Sequence, residues 1–141
     1  YTYVQLSASD SEVEVADVAD YLLTITGKSD KDYVVSRFPV TTELALNVEE
    51  DYYTTSYMYA TVTNDTDEPV YDICVALALL DADGNILYLT DETLYNKALL
   101  PGGSILIREE IPSYFSESFE KNGYGTPASV DAIAYVQTYQ P

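Results

Sequence analysis

One short segment carries four oxygen-bearing side chains at a spacing that could bind a calcium ion. Asp81, Asp83 and Asn85 take alternate positions, and Glu92 follows eleven residues after Asp81. Looped Ca²⁺ sites use oxygen ligands at positions 1, 3, 5 and 12 of the loop. Position 6 is Ile86, where such a loop needs glycine for its sharp turn. The sequence therefore favours a hairpin turn built from these polar residues, with a calcium site as the alternative.

A second candidate site consists of tyrosines. Four of them lie close together in the chain: Tyr52, Tyr53, Tyr57 and Tyr59. Period-two alternation predicts that Tyr57 and Tyr59 share the solvent face of a strand. Flat, exposed aromatic rings can stack on sugars, whereas cross-strand pairing of the same rings would only stabilise a sheet. Carbohydrate is therefore the second candidate ligand.

The sequence offers no catalytic machinery. The chain has no histidine, which removes Ser-His-Asp and Cys-His pairs and the usual zinc ligand sets. No Gly-x-Ser-x-Gly or phosphate-binding glycine motif occurs. Carboxylate pairs will arise by chance among 24 acidic residues, and no motif selects one. We therefore expect no catalytic residue and no cofactor, and we expect Cys74, within an apolar run, to be a buried and unreactive thiol.

The charge of the chain limits its partners. The 24 acidic and 6 basic residues give a net charge of -18. This field repels nucleic acid and anionic membrane surfaces. No apolar run approaches the ~20 residues of a membrane-spanning helix, so we expect no direct membrane insertion by this segment. A protein partner remains compatible with this charge, and a cell-envelope component is an expectation that depends on family resemblance.

Alternating strands between turns indicate the fold class. Met58, Ala60 and Val62 share one face of a predicted strand, and a second, more apolar strand runs from Val70 to Leu80. Its predicted core face comprises Tyr71, Ile73, Val75, Leu77 and Leu79. At least six strands follow one another at short intervals, with turn chemistry between them. This spacing predicts a mainly β domain, an antiparallel sandwich, over residues 41–141.

Residues 1–40 form an N-terminal extension, which we expect to pack on the sandwich. A helical wheel over Glu12 to Thr26 places five apolar side chains on one face: Val15, Val18, Ala19, Leu22 and Ile25. Ser11 and Glu14 match a capping box, and Gly27 could end the helix. The stretch is also rich in β-forming residues, so a strand pair is the alternative to a short helix.

The stretch from Tyr57 to Ile111 resembles the FxLYD-type family of bacterial extracytoplasmic domains. Three local patterns carry the resemblance: Ala60-x-Val62-x-Asn64-x-Thr66, then Leu77-Ala78-Leu79-Leu80-Asp81, then Asp83-Gly84 with Leu100-Pro101-Gly102. Ala60, Leu77 and Leu80 stand where the family has Gly, Phe and Tyr. The resemblance implies an immunoglobulin-like sandwich in a secreted or lipid-anchored protein, and it carries over no catalytic residue.

These observations together predict a function class. We expect a non-enzymatic extracytoplasmic interaction or spacer domain of a bacterial surface or secreted protein, which would include a surface lipoprotein. The alternative is a small-ligand binding module, either for carbohydrate through the surface tyrosines or for calcium at the Asp81–Glu92 segment. The resemblance is to a fold family, and a fold alone does not specify a function.

Overall fold

The computed structural model describes residues 24, 32–114, 119 and 125–140, and these residues form a mainly β structure. All pairings between its strands are antiparallel. The strands are β1 Tyr33–Phe38, β2 Val40–Glu49, β3 Thr54–Thr63, β4 Val70–Tyr71, β5 Cys74–Leu80, β6 Ile86–Thr93, β7 Ala98–Leu99, β8 Ser104–Ile111 and β9 Ser129–Tyr139.

The strands form two main sheets and one small one. The four-stranded sheet has the order β1-β9-β5-β6, the three-stranded sheet has the order β2-β3-β8, and β4 pairs with β7. The buried core draws apolar side chains from both main sheets, as expected for a sandwich. Its largest fully buried apolar members are Met58, Val62, Ile73, Val75, Leu77 and Leu79.

The strand order matches that of an immunoglobulin domain except at one position. The order β2-β3-β8 matches strands A-B-E, and β6-β5-β9 matches C′-C-F of that fold. The place beside β9 belongs to the last strand, G, in an immunoglobulin domain. Here β1, the first strand described, fills it and runs antiparallel to β9. A strand from the N-terminal side of the chain therefore forms this edge of the sheet.

The position of β1 changes the domain boundary expected from the sequence. Residues 33–40 belong to the sandwich through β1 and the start of β2, although the sequence placed them in the N-terminal extension. Only Phe38 of β1 is buried, so the strand shows no apolar alternation. The predicted helix lies outside the described residues except for Thr24, which is exposed and belongs to no helix or strand.

Alternation identified the core face of the two central strands, with one error. Met58, Ala60 and Val62 are fully buried on β3, as predicted. The prediction for Tyr71 was wrong, because its side chain is 56% exposed. Asp72 has a φ of 52°, in the left-handed region, and separates β4 from β5. Alternation does not continue through such a break. The orientation of the Tyr71 side chain is therefore set by β4 and cannot be inferred from the core-facing residues of β5.

Asn64 is a fully buried polar residue that ties two turns together. Its Nδ2 donates to the carbonyl oxygens of Glu68 and Leu99, both at 2.8 Å. Its Oδ1 accepts hydrogen bonds from Thr66, from N at 3.0 Å and from Oγ1 at 2.7 Å. Its backbone exchanges hydrogen bonds with the turn after β7, because Asn64 N donates to Gly103 O and Gly102 N donates to Asn64 O. Every polar group of this residue is therefore satisfied within the fold.

Candidate functional site

The outer face of the three-stranded sheet carries a tyrosine and arginine cluster. The guanidinium carbon of Arg108 lies 4.7 Å from the centroid of the Tyr57 ring. The Tyr59 ring lies 6.0 Å from that of Tyr57, tilted by 47°. Tyr57 Oη donates to Glu50 Oε1 at 3.1 Å. A cation over an aromatic face is attracted by the ring quadrupole, so this arrangement holds Arg108 in place.

The register places further side chains on the same face. Tyr59 lies opposite Arg108, and Thr61 lies opposite Leu106, whose side chain is 62% exposed. Thr55 Oγ1 donates to Glu110 Oε1 at 3.0 Å. We call this surface the β3–β8 outer face; it consists of Tyr57, Tyr59, Thr61, Leu106, Arg108 and Glu110. It combines an exposed apolar side chain, a fixed cation and aromatic rings.

The structure divides the four tyrosines that the sequence grouped together. Tyr57 and Tyr59 are neighbours on the outer face, but Tyr57 is only 4% exposed, so the expectation of a free solvent-facing ring was wrong for it. Burial, followed by the hydrogen bond and charge of Glu50, raises the pKa of Tyr57. Tyr52 and Tyr53 lie in the connection between β2 and β3, and Tyr52 is almost wholly exposed. Among the described residues, the ring contact within this group of four is the one between Tyr57 and Tyr59.

The segment from Asp81 to Asn85 forms the predicted hairpin turn between β5 and β6. Asp81 Oδ1 accepts from Asp83 N at 2.9 Å and from Asn85 N at 2.8 Å. Asp81 Oδ2 accepts from Asn85 Nδ2 at 2.9 Å. These bonds, led by the one from the Asn85 side chain, lower the pKa of Asp81. Gly84 supplies a φ of 83°, which tight hairpins require.

Glu92 is not brought to this turn. It lies on β6 opposite Val75, whereas the turn connects the other end of that strand to β5. A strand advances about 3.3 Å per residue, so the turn and Glu92 are roughly 20 Å apart. Both carboxylate oxygens of Asp81 already accept hydrogen bonds. Among the described residues no group of three His, Cys, Asp or Glu side chains is placed to hold a metal ion.

The side chain of Glu92 lies near the carboxyl group of Glu109. Glu109 lies on β8 in the alternation that also points Ile107 and Ile111 into the core, and it is partly buried. Burial, followed by the charge and hydrogen bonding of Glu92, raises the pKa of Glu109. The two carboxyl groups thus link β6 and β8, which are edge strands of opposite sheets.

We expect Glu109→Gln to stabilise the fold at neutral pH. Because the pKa of Glu109 is raised in the folded state, its protonated form contributes to stability at pH values below the ordinary pKa of 4.5. This contribution is lost as the pH rises through the raised value. The amide stays neutral, so the variant should gain stability over the wild type above that value. The gain should be less than about 1 kcal/mol, because the pair is partly exposed and solvent screens it.

Urea denaturation at several pH values between 4 and 7 checks this prediction. Glu110→Gln is the matched control, because Glu110 is the next residue along the strand and points to the opposite, exposed face. Glu110→Gln removes one negative charge, as Glu109→Gln does, but it leaves the Glu109 neighbour of Glu92 unchanged. Equal pH dependence in the two variants would contradict the pairing.

Cys74 lies in a shallow trough on the outer face of the four-stranded sheet. The thiol is half-buried, so the expectation of full burial was wrong. The side chain of Cys74 lies on the outer face of the sheet, because its sequence neighbours Ile73 and Val75 both point into the core. Its Sγ lies 3.4 Å from Thr93 Oγ1. The trough has a volume of about 550 Å³ and is lined by Val35, Arg37, Cys74, Val75, Ala76, Leu89, Thr90, Asp91, Thr93, Ile133 and Tyr135.

The chain was compared with protein-family models, with curated proteins and with solved structures. None of them matches. Within the described residues, no helix is long and apolar enough to cross a membrane.

Proposed function

We propose that this chain is a non-enzymatic, extracytoplasmic interaction or spacer domain of a bacterial surface or secreted protein. The single observation that supports this most is the β3–β8 outer face. It presents Leu106 to solvent beside an arginine that lies over Tyr57. Tyrosine and arginine are enriched among residues that dominate protein–protein binding energy. The resemblance to FxLYD-type domains points to the same class.

The fixed geometry of the cluster favours binding. Tyr57 is held by Glu50, and its ring in turn restricts Arg108. A side chain that is already ordered loses less conformational entropy when a partner binds. Glu110 is likewise hydrogen-bonded to Thr55. The face is therefore ready to accept a partner without rearrangement.

The chemistry of the face suggests what the partner presents. Arg108 is a cation on a chain with a net charge of -18, so it offers a local attraction to a carboxylate. Leu106 next to it offers an apolar contact. A folded protein of the cell envelope can present both groups, whereas nucleic acid is repelled by the overall field.

The absence of catalytic chemistry in the sequence supports a non-enzymatic role. The chain has no histidine and no nucleophile motif. Among the described residues, the thiol of Cys74 contacts the Thr93 hydroxyl and the Asp72 carbonyl oxygen, and neither of these groups is a base that activates a thiol.

Substitution of Leu106 tests the proposal. We expect Leu106→Asp to reduce retention of the full chain on an immobilised Gram-positive cell-wall fraction by at least tenfold, because it places a charge in the apolar contact. Leu100→Asp is the matched control: both leucines are 62% exposed, but Leu100 lies in the turn between β7 and β8. Equal retention of both variants and the wild type would overturn the assignment of this face.

Carbohydrate binding is the second candidate, because Tyr52 and Tyr53 are exposed side by side between β2 and β3. It predicts a saturable rise in melting temperature with a glycan that is lost in Tyr52→Ala. A ligand at a hundredfold excess over its Kd stabilises by about 2.7 kcal/mol, which a thermal melt detects. The same melt with Ca²⁺ and with EDTA tests the calcium alternative.

A further inference from the structure

Strand β1 forms one edge of the four-stranded sheet, and its backbone groups point in two directions. Asp32 lies opposite Gln140 by continuation of the β1–β9 register, and Gln140 N donates to Asp32 O at 2.6 Å. In an antiparallel ladder, alternate residues of a strand bond to the same neighbour. The even-numbered residues of β1 therefore bond to β9, whereas the N–H and C=O groups of Tyr33, Val35 and Arg37 point away from it. Among the described residues, no strand pairs with this side of β1.

The other edge strands of the two main sheets carry features that oppose the addition of a further strand, and β1 does not. The pairing of β2 with β3 has a register shift beside Asn47, whose φ is 54°. The pairing of β5 with β6 is also shifted, and β8 carries charged residues at 108–110. Bulges and charges protect exposed sheet edges in natural proteins. The β1–β9 register runs without a shift, and Arg37 is the one charged residue of β1.

We propose that β1 pairs with β1 of a second copy of this chain. In a two-fold antiparallel pair, one residue must lie opposite itself, because the two faces of the sheet have to continue across the axis. Val35 is the middle one of the three residues whose backbone groups point outward, so a pair centred on it uses all of these groups. Tyr33 of each copy then lies opposite Arg37 of the other. The two four-stranded sheets become one sheet of eight strands, which is within the usual size of sheets.

The side chains that this register brings together are complementary. Tyr33, Val35 and Arg37 share the outer face of β1, since Phe38 points into the core. Val35, which is 55% exposed, contacts its own copy. Each Arg37 guanidinium lies beside the Tyr33 ring of the other copy, and a cation is attracted by the face of an aromatic ring. Within Tyr33–Arg37, no two charges of the same sign lie opposite each other across the pair.

Net charge limits the strength of this pair and favours β1 as the place where it forms. Each chain carries a net charge of -18, so two copies repel each other. β1 is a local exception, because it contains Arg37 and no acidic residue. The contact between two short strands is also small, so the dimer is weak and forms at high chain concentration in salt that screens the repulsion. The pair uses neither Leu106 nor Arg108, so it is independent of the proposed function.

Disulfide cross-linking of the full chain tests the register, in a Cys74→Ser background that removes the single natural thiol. Val35→Cys places two cysteines opposite each other with Cα atoms about 5.5 Å apart, a distance that a disulfide spans. Val34→Cys is the matched control, because Val34 is 40% exposed on the same strand but lies opposite Ser36 of the second copy. The two Val34 Cα atoms are roughly 8 Å apart, beyond the reach of a disulfide. Under mild oxidation we expect at least tenfold more cross-linked dimer from Val35→Cys than from Val34→Cys, and equal yields would overturn the proposal.

Sedimentation equilibrium gives a second readout. In about 0.5 M NaCl, the average mass of the wild-type chain should rise towards that of a dimer between about 10 µM and about 500 µM. Val35→Lys should weaken this association at least tenfold, because it brings two ammonium groups together at the axis. Leu46→Lys is the control and should leave the association within twofold of the wild type, since Leu46 is 41% exposed on β2. Thermal melts confirm that both variants remain folded. A wild-type chain that stays monomeric, or a dimer that Val35→Lys does not weaken, counts against the proposal.

Discussion

Replacing Asn64 with alanine is expected to lower the free energy of unfolding by about 3 kcal/mol. The substitution leaves the carbonyl oxygens of Glu68 and Leu99 without their donor and removes the acceptor of Thr66. Each buried polar group without a partner costs roughly 1–3 kcal/mol. A domain of this size has a total stability of about 5–15 kcal/mol, so the loss is a large fraction of it. Urea denaturation measures the difference.

Two further variants separate the hydrogen bonds from general effects of substitution. Asn64→Asp keeps the size and the acceptor but directs a carboxylate at two carbonyl oxygens, so at pH 7 it should be at least as damaging as alanine. Asn85→Ala is the control, because Asn85 also donates through Nδ2, to Asp81, but is exposed. It should cost less than about 1 kcal/mol. Similar losses for Asn64→Ala and Asn85→Ala would show that Asn64 does not hold the two turns together.

Local sequence patterns predicted the parts of the fold that depend on neighbours along the chain. The alternation of β3 and the apolar run of β5 fixed which side chains face the core, because successive residues of a strand point to opposite faces. The turn from Asp81 to Asn85 was predictable for the same reason. All its hydrogen bonds join residues within four positions of one another.

Contacts between distant segments account for the features that the sequence did not predict. Tyr57 has the predicted orientation, but its burial depends on Arg108, which lies 51 residues later in the sequence on β8. Glu92 fits a calcium loop by spacing alone, and its actual neighbour Glu109 lies on the opposite sheet. Phe119 is buried in the core although the residues around it in the sequence are mostly polar. None of these contacts leaves a periodic signal in the sequence.

The pairing of β1 with β9 also depends on long-range contacts, and it determines where the domain begins. We expect Phe38→Ala to lower the free energy of unfolding by about 3 kcal/mol, since large aromatic side chains removed from a core cost 3–5 kcal/mol. Phe38 is 7% exposed and belongs to the core cluster, whereas the rest of β1 is exposed. Phe38 is therefore the residue of β1 that is buried in the core, whereas the Tyr33 ring contacts Tyr139 at the exposed end of the strand.

Hydrogen exchange locates the effect of Phe38→Ala within the fold. Amides of β1 should lose more protection than those of β3 or β5, because β1 is an edge strand with a single hydrogen-bonded neighbour. Val35→Ala is the matched control on the same strand, since Val35 is 55% exposed, and it should change stability by less than about 1 kcal/mol. A loss below about 1 kcal/mol for Phe38→Ala would mean that β1 is dispensable. The stable sandwich would then begin near residue 41, where the sequence pattern placed its start.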